Sequence, residues 1–111
     1  MTTDERGDIV EASDPFRVDN PSRPFCLIST ADHPFHGEQY VALTLTTKTW
    51  YDETIPVSAD EFSEGGIPED SALVPWGIAS PAHGDITNWF GRLEQPVVDT
   101  AVEQLVGYLG R

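Results

Sequence analysis

A cation and a pair of hydroxyls bracket two neighbouring apolar stretches of this chain. Arg23 stands immediately before Pro24–Ser29, PFCLIS, and Thr46 and Thr47 close Gln39–Thr47, QYVALTLTT. A guanidinium stays charged at any ordinary pH and presents a rigid fork of donors, while a threonine hydroxyl both donates and accepts. Antiparallel pairing of the two stretches brings either like or unlike ends together, depending on where the link folds, and the residues alone leave both open. The link, Thr30–Glu38, carries His33 and His36 in an H-x-x-H step, with Asp32 before and Gly37 after. Zinc needs three or four convergent ligands. His83 and Asp85 complete such a set only if two loops meet, so exposed loop histidines are the simpler reading. His36 and His83 are also the residues suited to shuttling a proton near neutrality.

Cys26, the single cysteine, has no internal partner and sits within an apolar stretch, as a buried and inert thiol does. Trp50, Trp76 and Trp89 have faces on which unpaired bases stack, although a domain this small is expected to bury at least two of them.

The elements that must position these groups are mostly strands. Phe, Cys, Leu and Ile in the first stretch, and Tyr, Val, Leu and Thr in the second, suit a pleated, half-buried surface. Gly7–Ala12 alternates weakly and reads as an earlier strand, and Ser13–Arg23 as a Pro- and Asp-rich loop anchored by Phe16. Lys48–Tyr51 extends the second stretch or begins its exit. Glu53–Val57 contains Pro56 and belongs at an edge. Ser58–Glu64 reads as a helical turn capped by Ser58 and Glu61 and stopped by Gly65-Gly66. Ser71–Ile78 and Ile86–Leu93 read as further strands. The period then changes: Val97, Val98, Ala101, Val102, Leu105, Val106 and Leu109 recur at three- and four-residue spacing, which predicts an amphipathic helix over 96–109. Pro96 fits its first position and Gly110 its stop. Five or six strands and one helix imply a mainly β fold, a small, strongly bent antiparallel barrel with the helix packed on it. Residues 1–6 read as a frayed, flexible start and 7–111 as one domain.

At 111 residues the chain has room for one core. No apolar run approaches the ~18 residues that span a membrane, and no signal-peptide pattern opens the chain, so a cytoplasmic site is expected. Nineteen acidic residues against six basic ones leave a net charge of −13. Such a surface disfavours non-specific binding to nucleic acid. Acids spread over the whole chain with a single lysine, Lys48, suit life in a high-salt cytoplasm, where self-repulsion is screened.

Taken together, several short motifs resemble the MazF/PemK toxin family. Gly7-Asp8-Ile9-Val10, the Arg23–Ser29 segment RPFCLIS and the strand ending Leu45-Thr46-Thr47 are similar to its three leading motifs. Gly66–Ser71 resembles its G-L-x-x-x-S element, and Gly91-Arg92-Leu93 with the closing helix resembles its ending. The similarity runs over about residues 7–109. It implies an SH3-like barrel, usually a homodimer, acting as a metal-independent endoribonuclease on single-stranded RNA at short sequences. It also implies neutralisation by a co-encoded antitoxin, with operator DNA reached through that partner, and no cofactor or metal.

Carried over, the family's chemical positions are Arg23 and Thr46, with Thr47 as the rival, because a one-residue slip turns a strand side chain to the other face. Cleavage through the RNA's own 2′-hydroxyl needs in-line alignment, stabilised phosphorane oxygens and moved protons. A guanidinium fork and a hydroxyl suit the second task. An arginine is a poor base at neutral pH. Arg17, Arg23 and Lys48 all fall in the region that the resemblance marks as the RNA groove, where a local basic patch focuses substrate. Trp50 is the stacking candidate there, while Trp76 stands where the family often has a glutamine-like residue. The loop Asp14–Ser22 departs from the family's G-x-E-Q step. That departure and the acidic surface favour a competing expectation, a catalytically silent barrel of the same fold that binds protein or nucleic acid.

Overall fold

The computed structural model describes residues 4–13, 22–48 and 52–110. Seven strands form one antiparallel, curled sheet: β1 (Asp8–Ser13), β2 (Ser22–Leu27), β3 (Ala42–Thr46), β4 (Ile55–Val57), β5 (Phe62–Gly65), β6 (Ser71–Ala79) and β7 (Ile86–Leu93), followed by α1 (Gln95–Tyr108). Their order across the sheet is β4-β6-β3-β2-β1-β7-β5. The mainly β fold with a closing helix is therefore as expected, with more strands than the sequence suggested. Pro56 lies on edge strand β4, where a missing N–H costs no ladder bond.

The central strands are buried on both faces. Ile9, Cys26, Leu43 and Leu45 point to one side, where Val98, Ala101 and Leu105 of α1 complete a core. Val10, Ala12, Phe25, Leu27 and Ala42 point to the other, inside the curl, and close around the buried Tyr40. The three- and four-residue spacing of the α1 positions is what turns one helix stripe onto the sheet. Gly110 ends the helix at a φ of 87°, a left-handed conformation that suits glycine.

Two expectations are corrected. The stretch Ser58–Glu64 is not one helical turn: a 3₁₀ turn covers only Ala59–Glu61, and Phe62–Gly65 is strand β5, paired with β7. The turn does carry the expected cap, with the Ser58 backbone N–H donating to Glu61 Oε1 at 2.7 Å and the Ser58 hydroxyl at 2.8 Å. These bonds, the backbone one first, hold the Glu61 carboxyl below its ordinary range. Residues 4–6, the described part of the start, make several hydrogen bonds. Glu5 N–H donates to Asp8 at 2.7 Å, and Arg6 reaches the Ile28 carbonyl at 3.1 Å and Asp99 at 2.8 Å. Finally, of the tryptophans described, neither is core: Trp76 is 50% exposed and Trp89 42%.

Cys26 is fully buried, and desolvation, reinforced by the nearby Asp8 charge, pushes its thiol up to about 12. The folded protein thus holds this proton more tightly than the unfolded chain, whose thiol titrates near 9.0. Stability from this group is complete below pH 9 and declines as pH rises from there towards 12. Native protein at pH 8 is expected to resist iodoacetamide and to label at Cys26 only when denaturant is added. Rapid labelling without denaturant would contradict this burial.

Candidate active site

The β2–β3 ladder gives the parity of the two threonines relative to Arg23. Leu27 faces Ala42, Cys26 faces Leu43 and Phe25 faces Thr44. Carried two residues beyond its last pair, that register brings Arg23 level with Thr46, on the face that carries Phe25 and Leu27. Arg23 Nη2 donates to the Leu45 carbonyl at 2.7 Å, which anchors the guanidinium against the end of β3. Thr46 Oγ1 accepts from the Lys48 backbone N–H at 3.1 Å, so its position is set by the turn and its O–H remains to donate. Thr47 lies beyond the strand end. It lines a mainly apolar cleft of about 190 Å³ with Pro24, Ile67 and Phe90, set off from the face of Arg23.

Lys48 is exposed directly after this pair. Arg17 and Trp50, the other expected RNA contacts, lie outside the described residues. Beside Thr46 on β3, Thr44 faces an irregularity of β6. The ladder passes from Leu43–Ile78 to Leu45–Leu73, so Val74–Gly77 bulge against Thr44 alone. Gly77 packs closely there, because a methyl group at this position would meet Thr44 Oγ1 and the Val74 side chain, which would have to shift. Trp76, on the bulge, sets its ring edge-on to Tyr108 of α1 at 6.2 Å.

The histidines lie at the opposite end of the central strands. From Arg23 to Leu27, where the strand reaches that end, is about 13 Å along the chain. The two loops do meet, with His83 N–H donating to the Glu38 carbonyl at 2.8 Å and Tyr40 N–H to the Pro81 carbonyl at 3.1 Å. Their side chains converge on a tyrosine: Tyr40 Oη lies 2.8 Å from His83 Nδ1, and the His36 ring stands edge-on to Tyr40 at 5.9 Å. Asp4 lies 3.6 Å from the same His83 nitrogen. Burial and then the neighbouring Asp8 raise the Asp4 carboxyl above its ordinary range, and burial first raises the Tyr40 phenol. His33 Nδ1 accepts from the Phe35 N–H at 2.9 Å. Among the described residues, no group of three or more His, Cys, Asp or Glu side chains is placed to hold a metal ion. None of the three histidines is near Arg23.

One feature beside the pair gave no signal in sequence. The turn-rich stretch after β6 reads as a connector, yet Ala79–Ala82 and Asp85 enclose a cleft of about 160 Å³ with Ser13 and Phe25. Phe25 is two residues from Arg23 on the same strand face.

No protein-family model matches the chain, and no characterised protein matches it in sequence. Its fold, however, has solved counterparts. MazF from Deinococcus radiodurans superposes with a TM-score of 0.77 over 100% of both chains at 13% identity. A MazE–MazF structure from the same organism gives 0.75 over 98% of each chain at 14% identity. A mycobacterial endoribonuclease in complex with its cognate antitoxin gives 0.71 over 96% of each chain at 15% identity. No helix among the described residues is long and apolar enough to cross a membrane. The seven-stranded curled sheet with its C-terminal helix is thus the fold seen in MazF structures.

Proposed function

We propose that the chain is a toxin-type endoribonuclease, cutting single-stranded RNA without a metal and at a preferred sequence. The observation that carries this reading is that Arg23 and Thr46 share a sheet face at neighbouring strand ends, with the Arg23 guanidinium held on the Leu45 carbonyl. The shared fold supports it, since the similar structures include named endoribonucleases. In the reaction, the RNA 2′-oxygen attacks its own phosphorus in line, the P–O5′ bond breaks, and a 2′,3′-cyclic phosphate and a 5′-hydroxyl result. The 2′-proton is lost to solvent and one is returned to O5′. Arg23 stabilises charge on the phosphorane oxygens, Thr46 donates to one of them, and Lys48 draws the flanking backbone phosphate. Holding the 2′-hydroxyl in line supplies much of the remaining rate. Arg17 and Trp50 are assigned, from the family resemblance, to RNA contact by charge and by stacking.

A cognate antitoxin neutralises this activity and links the toxin to operator DNA; the mycobacterial counterpart is itself seen in complex with a cognate antitoxin. The active form is a homodimer in the cytoplasm of a salt-adapted cell, a halophilic archaeon. The surface charge of −13 supports that setting, because molar salt shortens the Debye length to ~3 Å and quiets self-repulsion.

The test is cleavage of mixed-sequence RNA by purified protein in molar KCl with EDTA, beside the same RNA made with 2′-deoxynucleotides. Discrete cuts in RNA, absent from the deoxy strand and unaffected by EDTA, are expected. Loss of all cleavage in EDTA would refute the metal-free mechanism. A folded protein that cuts nothing at any salt would favour the silent binding barrel, the reading that its acidity supports.

A further inference from the structure

The loop between β6 and β7 builds a wall beside the Arg23–Thr46 pair. Ala79 leaves the sheet opposite Ala42 on β3, and Ile86 re-enters it opposite Ala12 on β1. The connection therefore passes over the second core, and both of its flanking residues pack on that core. It is rigidly hung. Tyr40 N–H donates to Pro81, His83 N–H to Glu38 and Asp85 N–H to the Ala82 carbonyl, at 2.8–3.1 Å, and Gln39 bridges Ala82. The Tyr40–His83 bond at 2.8 Å fastens the same loop from below. The tyrosine and histidine network thereby has a use, as the support of a cleft whose floor is Phe25 and whose polar groups are Ser13, Ser80 and Asp85.

We propose that this cleft is a base-recognition subsite for the nucleotide beside the phosphate held at Arg23, with Asp85 reading N–H donors on the base edge. The inference rests on the ribonuclease reading above and adds a specificity determinant to it. Position is the first reason: Phe25 lies about 6.6 Å along the strand from Arg23, comparable to one step of an extended single strand. Size is the second, because about 160 Å³ admits one planar ring system and little more. Charge is the third. A carboxylate beside a phosphodiester chain is unfavourable unless it is offset by donors, and unstacked RNA bases offer them on their Watson–Crick edges. Guanine fits best, since its N1–H and exocyclic N2–H point in parallel at two carboxylate oxygens. Uracil offers a single N–H flanked by two carbonyls, which the carboxylate repels.

Fluorescence anisotropy with labelled 2′-deoxyuridine hexanucleotides tests this, with one guanine walked through each position. Wild-type protein is expected to favour guanine at one position by about tenfold, the scale of a bidentate base contact. Asp85→Asn, at an exposed position that does not threaten folding, is expected to bring that ratio close to unity. Arg23→Ala weakens every strand alike and keeps the ratio. A guanine preference that survives in Asp85→Asn, or wild-type binding indifferent to the base at every position, overturns the subsite. Cleavage by Asp85→Asn at unchanged sites would overturn the subsite while leaving the nuclease reading intact. Absence of both binding and cleavage would overturn the two together.

Discussion

Arg23→Ala is expected to reduce kcat for RNA cleavage by about a hundred- to a thousandfold, the usual loss when one donor to a developing oxyanion is removed. KM should change far less, because the contact strengthens as charge builds on the phosphorane. Arg23→Lys keeps the charge but loses the fork and its geometry, so it falls between the two. Thr46→Val removes one hydrogen bond to a charged oxygen, worth about 1.5–3 kcal/mol, or roughly ten- to a hundredfold in rate. Thr47→Val, on the other side of the strand end, leaves the rate unchanged. Single-turnover kinetics on one defined RNA distinguishes these cases. If Arg23→Ala raised only KM, the arginine would be a docking cation. Wild-type rates in that variant would place the reaction centre elsewhere.

The largest effect on stability is expected at the other end of the sheet, in Arg92→Ala. Asp8 is only 2% exposed, and its carboxylate accepts from Arg92 Nε at 2.8 Å and from the Glu5 N–H at 2.7 Å. Asp8 raises the Arg92 guanidinium pKa, first through this hydrogen bond and then through its charge. Removing the arginine leaves a buried anion with one neutral donor, which costs about 3 kcal/mol. That is the low end of the range for buried pairs, because the Arg92 side chain is 39% exposed and the pair is partly screened. For a domain of this size the loss lowers Tm by roughly 10–15 °C. Asp8→Asn combined with Arg92→Ala should recover much of it, since no buried charge then remains. Urea titration of the two single variants and the double variant measures this. An Arg92→Ala protein as stable as wild type would show that Asp8 is solvated after all.

Some elements were plain in the residues and others were not, for physical reasons. Helix α1 announced itself because its apolar stripe faces only one core, so its period is clean. Strand β7 was legible over its full length for its alternation, and β4 for its proline. Strand β5 was not, because SEG in Phe62–Gly65 has no β propensity of its own and is a strand only by pairing with β7. The choice between Thr46 and Thr47 was hidden for a different reason. The alternation Leu43-Thr44-Leu45-Thr46 puts Thr44 and Thr46 on one face of β3, but nothing in the residues says how that face lines up with β2. Only the β2–β3 register reveals which hydroxyl shares a face with Arg23. The tryptophans misled because the cores are filled by Tyr40, Phe25 and aliphatic residues, leaving Trp76 and Trp89 outside.

The central strands separate two kinds of constraint. Asp8 and Arg92 tie the chain together at one end, while Arg23, Thr46 and Lys48 cluster at the other, about 13 Å away along the strands. Energetic coupling between side chains usually fades beyond about 7–10 Å. Changes at the two ends therefore combine nearly additively, and a lineage can vary which RNA it recognises without spending its stability. A fold retained at 13–15% identity to its structural counterparts is what such a division permits.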